Sequence, residues 1–344
     1  MPNDNNRGSH GDSPLMLDST ESSNGKPLPL GTGSLTPVIL TKNACMGGVE
    51  TIIEAHQKRY GWPVIVCGGI ITDDCPFEYV YERHQARLLK MLEQYDRIIY
   101  HWPPGWAVQA IHQSGLPCIE YVHRLDTADC DKGVPDLILT HSRYIANWLA
   151  ANHLPTAYIP YPVDTEHYSK VEGSRDKIGG HGAYTLIKGI DISIRAASKI
   201  GIPLRFYGSG NQQEYFKRLA EFQQVPCELL LSIKDPATVL GEFKLFLTAA
   251  RVEGGPLALV EALASDIPAV ASDILAHLEL NQIATEMGYP EPLTIFKTDD
   301  VSDMARAIKE ALSKDVHPRE FARAFTDMER HLAAIGEIVK GVIG

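Results

Sequence analysis

TAARVEGGPLALVEALASDIPAVASD, residues 248–273, sets a glycine turn between an apolar run and an apolar helix. KLFLTAA (244–250) reads as a buried strand, so Glu253 stands at a strand's carboxyl end. Gly254 and Gly255 allow a tight turn and close backbone approach. Pro256 suits the first helical position, and Leu257 carries the helix on. The free N–H groups there, with the helix dipole, favour an anion such as phosphate or diphosphate. Glu261 falls in the second turn, roughly 7–8 Å along the axis from Pro256. Helical side chains lean toward the N-terminus, so its carboxylate is expected to reach back to the mouth. An ionised carboxylate accepts through two oxygens and matches vicinal hydroxyls. Two carboxylates with an anion site between them suit a nucleoside diphosphate sugar. Glutamates at this spacing are also common on solvated faces; the strand–Glu–Gly-Gly-Pro–helix context adds the information.

The same rhythm runs outward in both directions. PVILT (37–41), PVIVCGG (63–69), DRIIYHW (96–102), PCIEYVH (117–123), DLILTHS (136–142) and TAYIPYPVD (156–164) read as strands. Helical patterns separate them, including one near EYVYERHQARLLKMLEQY. The rhythm restarts with the helix KGIDISIRAASKIG and continues through IPLRFYGSG (202–210), CELLLSI (227–233), KLFLTAA, IPAVASD (267–273) and LTIFKT (293–298). Continuous apolar strands alternating with helices predict parallel sheets covered on both faces. The fold class is therefore α/β, with two doubly wound domains. The polar, glycine-bearing stretch 164–182 is assigned as the linker. Ligands are expected in the cleft at the strands' carboxyl ends.

Composition removes several classes. The 344-residue chain has a formal net charge of −11, which disfavours nucleic acid and charge-driven membrane binding. Cys45, Cys67, Cys75, Cys118, Cys130 and Cys227 form no C-x-x-C pair, so neither a zinc nor a redox motif is present. A reducing, cytoplasmic setting is expected. No run approaches the ~20 apolar residues of a membrane span, and no apolar signal core opens the chain. Residues 1–35 are rich in Asn, Ser, Gly, Asp and Pro and read as a disordered tail or an expression remnant.

Residues 248–273 resemble the E-x7-E region of retaining glycosyltransferase family 4, a GT-B fold family. Four further segments match in order. GGVE (47–50) is similar to the family's N-terminal glycine loop, and LTHSRYIANWL with IPYPVDTEHY to the approach to its linker. IKGIDISIRAA (187–197) is similar to its K-G segment, and LRFYGSG (204–210) to its next strand and glycine turn. The resemblance covers about 37–340 and implies two Rossmann-like domains facing across a cleft: an acceptor-side domain at 36–165, a nucleotide-sugar-binding domain at 166–317, and a helix at 318–344 packing back on the first.

The resemblance also implies roles. Glu253 would face the donor sugar's hydroxyls, and the amides after Gly254 and Gly255 would hold diphosphate or sugar, with Pro256 and Leu257 beside the donor. Glu261 would bind ribose, Lys188 would neutralise the leaving diphosphate, and Gly47, Gly48 and Gly208 would approach the donor. His123 matches the histidine near the reacting centre; a lone histidine after an apolar strand is otherwise commonly structural, and His101 ends a strand in the same way. The implied reaction is metal-independent sugar transfer with retention, needing no cofactor beyond the donor. The acceptor would be a glycan, a lipid-linked molecule or a small molecule, with no stable membrane insertion and peripheral association left open.

Departures are visible too. Ala183 stands where the family carries an arginine, leaving Arg251 or His181 as substitutes near in sequence. ILAHLE (274–279) replaces a usual double glycine, although Glu279 remains. Three other readings stay open: a metal-dependent transferase using DCD (129–131), a catalytically weakened GT-B protein that binds a nucleotide sugar or a partner, and another GT-B activity such as an epimerase or phosphorylase. Trp102 and Trp106 are candidates for stacking on an acceptor sugar.

Overall fold

The computed structural model describes residues 36–44, 48–73, 75–124, 135–159 and 161–341. Among them, two wholly parallel sheets carry the chain. The first contains β1 (Pro37–Thr41), β2 (Val64–Val66), β3 (Val80–Tyr81), β4 (Arg97–His101), β5 (Cys118–Tyr121), β6 (Leu137–Thr140) and β7 (Thr156–Tyr158), in the order β3-β2-β1-β4-β5-β6-β7. The second contains β8 (Lys177–His181), β9 (Leu204–Tyr207), β10 (Cys227–Leu230), β11 (Phe243–Thr248), β12 (Ala269–Ser272) and β13 (Leu293–Phe296), in the order β10-β9-β8-β11-β12-β13. Strand order reverses beside β1 in one sheet and beside β8 in the other, and ligand crevices form at such points.

Each sheet is apolar on both faces because helices cover both. In the first, Ile39, Val64, Ile99 and Leu139 turn to one core, while Val38, Leu40, Ile65 and Ile98 turn to the other. In the second, Leu245, Leu247 and Val270 pack on α6 (Ile190–Ile200), α7 (Gln213–Phe222) and α11 (Val301–Ser313). Phe243, Phe246 and Ala269 pack on α9 (Leu257–Ala264), α10 (Leu275–Glu286) and α12 (Arg319–Phe325). The last helix, α13 (Met328–Gly341), returns to the first sheet. Its Ile335 and Val339 join that core, and Tyr60 on α1 (Gly48–Tyr60) donates to the Leu332 carbonyl.

The structure departs from the sequence reading at three places. The stretch read as one helix near residues 78–95 instead holds β3, then α2 (Gln85–Leu92). Glu82 makes the break, its Oε1 accepting from the amides of Arg83 at 2.9 Å and His84 at 2.8 Å. In the stretch read as a strand over 156–164, β7 ends at Tyr158, and Pro162 beyond it has no backbone donor to offer.

The stretch assigned as linker holds α5 (Thr165–Ser169) and β8, which pairs with both β9 and β11. Two of β8's five residues are Gly179 and Gly180, so the apolar signal of a central strand is absent. Glycine is required there. Gly179 has φ +153°, and a Cβ would collide with the Arg205 carbonyl; one at Gly180 would meet the Phe246 ring at 3.1 Å. Gly179→Val is therefore expected to unseat β8 and cost at least about 3 kcal/mol by urea unfolding, whereas Gly61→Ala, in open space, costs only about 1 kcal/mol of backbone strain.

Candidate active site

A cleft of about 980 Å³ lies between the domains at the strands' carboxyl ends. It is lined by Gly48, His123, Lys188, Gly208, Glu253, Gly254, Gly255, Pro256, Leu257 and Glu261, which were assigned from sequence. Gly47, the DCD loop and its neighbours (125–134) lie outside the described residues.

Glycine contacts assemble this wall. Gly189 takes the left-handed conformation at φ +66°, and a Cβ there would collide with the Ala249 carbonyl at the end of β11. That approach brings Lys188, in the 3-10 turn Leu186–Lys188, beside the residue that follows β11. Lys188 Nζ stands 2.6 Å from Glu253 Oε1. The carboxylate offsets the mild penalty of a cation just before the N-terminus of α6. Gly254 lies against the first domain instead of standing open to a ligand: a Cβ would collide with the His123 carbonyl. Gly255 abuts the Tyr161 ring, where a Cβ would stand 3.0 Å from Cε1. Gly48 faces Leu257, where a Cβ would stand 3.2 Å from Cδ1, and Gly208 leaves no room for a Cβ against the Gly182 carbonyl.

Pro256 precedes the helix by one position, corrected from the first helical residue; its φ of −81° and ψ of 67° are not helical, and α9 starts at Leu257. This helix is apolar nearly all round and buried, with Glu261 its one ionisable group. Glu261 lies 3.3 Å from His181 Nε2. Burial pushes its carboxyl up to about 7, against a hydrogen bond from Tyr168 and with help from Asp235. Burial, and then the Lys188 charge, pull His181 down to about 4. His181 is thus uncharged at neutral pH and supplies no second cation. Arg251 is not free for that task either: it holds Asp191 at 2.9 and 3.0 Å and Asp299 at 2.8 Å. Ala183 remains an exposed residue on the cleft wall with no charge behind it.

Sequence reasoning missed several lining residues, among them Lys58, Arg124, His141, Tyr168 and Lys234. Lys58 is paired with Glu54 at 2.6 Å. Glu279 has a structural task. Its oxygens accept from Ser142 Oγ at 3.2 Å and from the amides of Arg143 at 3.0 Å and Tyr144 at 2.6 Å. A carboxylate of the second domain thereby caps α4 (Arg143–Ala151) of the first, where the helix dipole favours it. Trp102 and Trp106 do not line the cleft; Trp102 is half exposed under Lys42, and Trp106 packs on the first core.

Behind His123 sits a group no sequence pattern announced. His56, His101, His123, His141 and His331 gather around Tyr121 from α1, β4, the ends of β5 and β6, and α13. His56 and His331 approach at 2.9 Å between Nε2 atoms, and His101 Nδ1 lies 3.0 Å from His123 Nε2. Tyr121 stacks on His101 at 4.8 Å and on His123 at 5.2 Å. Burial pulls His123 down to about 4 and His56, His101 and His141 well below the usual range, with neighbouring histidines adding to the last three. No group of three or more His, Cys, Asp or Glu side chains among the described residues is arranged to hold a metal ion.

Comparison with known proteins agrees with this architecture. Residues 171–328, most of the second domain, match the model of the family Glycosyl transferases group 1. A poly(ribitol-phosphate) alpha-N-acetylglucosaminyltransferase of Staphylococcus aureus (strain COL) is 26% identical over 154 residues, 42% of this chain and 30% of that protein. The chain thus matches less than a third of that relative's length. The structure of Anabaena Alr3699/HepE in complex with UDP and glucose superposes with a TM-score of 0.73 at 14% identity, covering 90% of this chain and 100% of that one. Sucrose-phosphate synthase from Thermosynechococcus elongatus gives 0.69 at 16%, covering 90% and 99%. The fold is GT-B.

Two outcomes follow from the geometry. Histidines with lowered native pKa take up protons on unfolding below about 6.5, so the stability they preserve above that pH is lost as pH falls toward 4. The slope reaches about 1.4 kcal/mol per pH unit for each such buried histidine. Glu261, shifted upward, runs the other way. Urea midpoints should therefore fall between pH 7 and 5.5, and His56→Gln should reduce the fall. Gly254→Ala should part the domains, seen as a larger radius of gyration in solution scattering while each domain keeps its secondary structure.

Proposed function

We propose that the chain is a retaining, metal-independent glycosyltransferase of the family 4 type, moving a sugar from a nucleoside diphosphate sugar to an acceptor hydroxyl. The observation that carries this reading is the Lys188–Glu253 pair at the mouth of α9, 2.6 Å apart, in the interdomain cleft with His123. Transfer breaks the bond between the anomeric carbon and a phosphate oxygen. Negative charge grows on the diphosphate, where Lys188 and the amides opening α9 stabilise it. Glu253, relieved of part of Lys188's charge by the diphosphate, accepts from sugar hydroxyls. Glu261, beside Tyr168 and His181, takes the ribose diol. No protein cofactor is required, since lysine and amides do the work a cation does elsewhere. The approach of the domains at Gly254 keeps water from the donor.

The Anabaena structure holds UDP and glucose, and UDP is the first donor nucleotide to try. The acceptor is a glycan, a lipid-linked molecule or a small molecule met on the first domain. No helix among the described residues is long and apolar enough to cross a membrane, and we assign the reaction to the cytoplasm, with membrane contact at most peripheral.

A second reading has its own observation. Ala183 brings no charge, Arg251 is held by aspartates and His181 is uncharged, so Lys188 is the one cation assigned to the diphosphate. A catalytically weakened protein that binds a nucleotide sugar would look like this. Nucleoside diphosphate release from UDP-, GDP-, ADP- and dTDP-sugars, with chelator present, separates the two. The transferase reading predicts release from one donor class, lowered about 100-fold by Lys188→Ala and strongly by Glu253→Ala. Thermal stabilisation by a nucleotide without release favours the binding protein.

A further inference from the structure

His123 lines the cleft and is largely buried, and one of its two nitrogens is already taken. Its Nε2 lies 3.0 Å from His101 Nδ1, leaving Nδ1 for whatever enters. His101, the last residue of β4, is buried and does not line the cleft. Its ring is fixed by stacking on Tyr121 at 14° and lies 5.3 Å from His123 at 22°. The nitrogen pointing away, His101 Nε2, is buried with no hydrogen-bond partner among the described residues.

That orphan decides where the proton between the rings belongs. Two arrangements of uncharged rings are available. In one, His123 Nε2–H donates to His101 Nδ1; His101 then carries its own proton on Nε2, a buried N–H with no acceptor. In the other, His101 Nδ1–H donates to His123 Nε2, and His101 Nε2 is a bare lone pair. Orphaned buried N–H groups are rarer in folded proteins than unsatisfied acceptors, so the second arrangement is favoured. The hydrogen bond made by one ring nitrogen sets the protonation of the other.

We propose that His101 is a positioning residue: it donates from Nδ1 to His123 Nε2 and so places His123's own proton on Nδ1, the nitrogen left for the cleft. His123 then meets the bound donor as a hydrogen-bond donor to a sugar oxygen, and it has no lone pair with which to take a proton from an attacking hydroxyl. The catalytic contact belongs to His123, while His101 acts through it. The role in sugar transfer rests on the function proposed above; the tautomer does not.

The test reads both separately. Full-length protein carrying 15N-histidine gives long-range 1H–15N correlations that distinguish Nδ1–H from Nε2–H rings, assigned by comparison with His123→Asn. The expected result is His123 as the Nδ1–H form from pH 6 to 8, lost in His101→Phe and retained in His101→Asn, whose amide can still donate. In turnover, His101→Phe should lower kcat about tenfold with little change in KM, and His101→Asn should recover most of it. His123→Asn, which keeps an N–H near the Nδ1 position, should outperform His123→Gln, which does not. An Nε2–H His123 in the wild type, or an Nδ1–H form unchanged in His101→Phe, overturns the proposal. If His101→Phe does not fold, the wild-type tautomer and the His101→Asn spectrum decide it. The Nδ1–H form without turnover from any donor would count against the transferase reading and leave the tautomer assignment standing.

Discussion

Everything in the cleft depends on the carbonyl oxygen of His123 and the absence of a side chain at Gly254. The glycine lets the loop after β11 lie directly on the end of β5, so residues from different domains share one wall. Gly189 does the same within the second domain, resting on the Ala249 carbonyl and bringing Lys188 to Glu253. Glu279 fastens the arrangement by capping a helix of the partner domain, and α13 ties the chain's end to the first sheet. These are backbone contacts and buried hydrogen bonds, so the cleft's shape belongs to the fold and does not await a ligand.

The site's electrostatics are poised and partly cancelled. Lys188 is matched to Glu253 and Lys58 to Glu54, while the buried histidines stay uncharged. Such a site does not attract anions through excess positive charge, in keeping with the chain's overall −11. It instead offers directed donors: amides at the start of α9, a lysine that can shift from carboxylate to phosphate, and the ring nitrogen of His123. In the transfer proposed above, fixed donors suit a leaving diphosphate, whose charge grows as the bond breaks, better than a diffuse positive field does.

The strands and the glycine–proline turn were legible because they depend on local patterns: apolar runs of fixed length and residues with particular backbone freedom. Residues 244–261 gave the strand, the turn and the buried helix correctly to within a position or two. β8 was hidden because Gly179 and Gly180 erase its hydrophobic signature, and their reason for being glycine is the Arg205 carbonyl and the Phe246 ring, both distant in sequence. Arg251 looked available because sequence proximity to Glu253 says nothing of Asp191 and Asp299. The histidine group lies beyond any pattern, since its members come from two helices and three strand ends. Glu279 looked like a remnant of a ligand motif, but α4 begins on it.

The central claim is that the wall built from Lys188, Glu253 and the opening of α9 receives a nucleoside diphosphate. Amide hydrogen exchange on the full chain, with and without UDP and with chelator present, measures this directly. The account predicts slowed exchange at the amides from Gly254 to Glu261 and around Lys188 and Gly189, in the wild type and less in Lys188→Ala. Binding of UDP that protects neither segment, or that protects a surface away from the cleft, would contradict it.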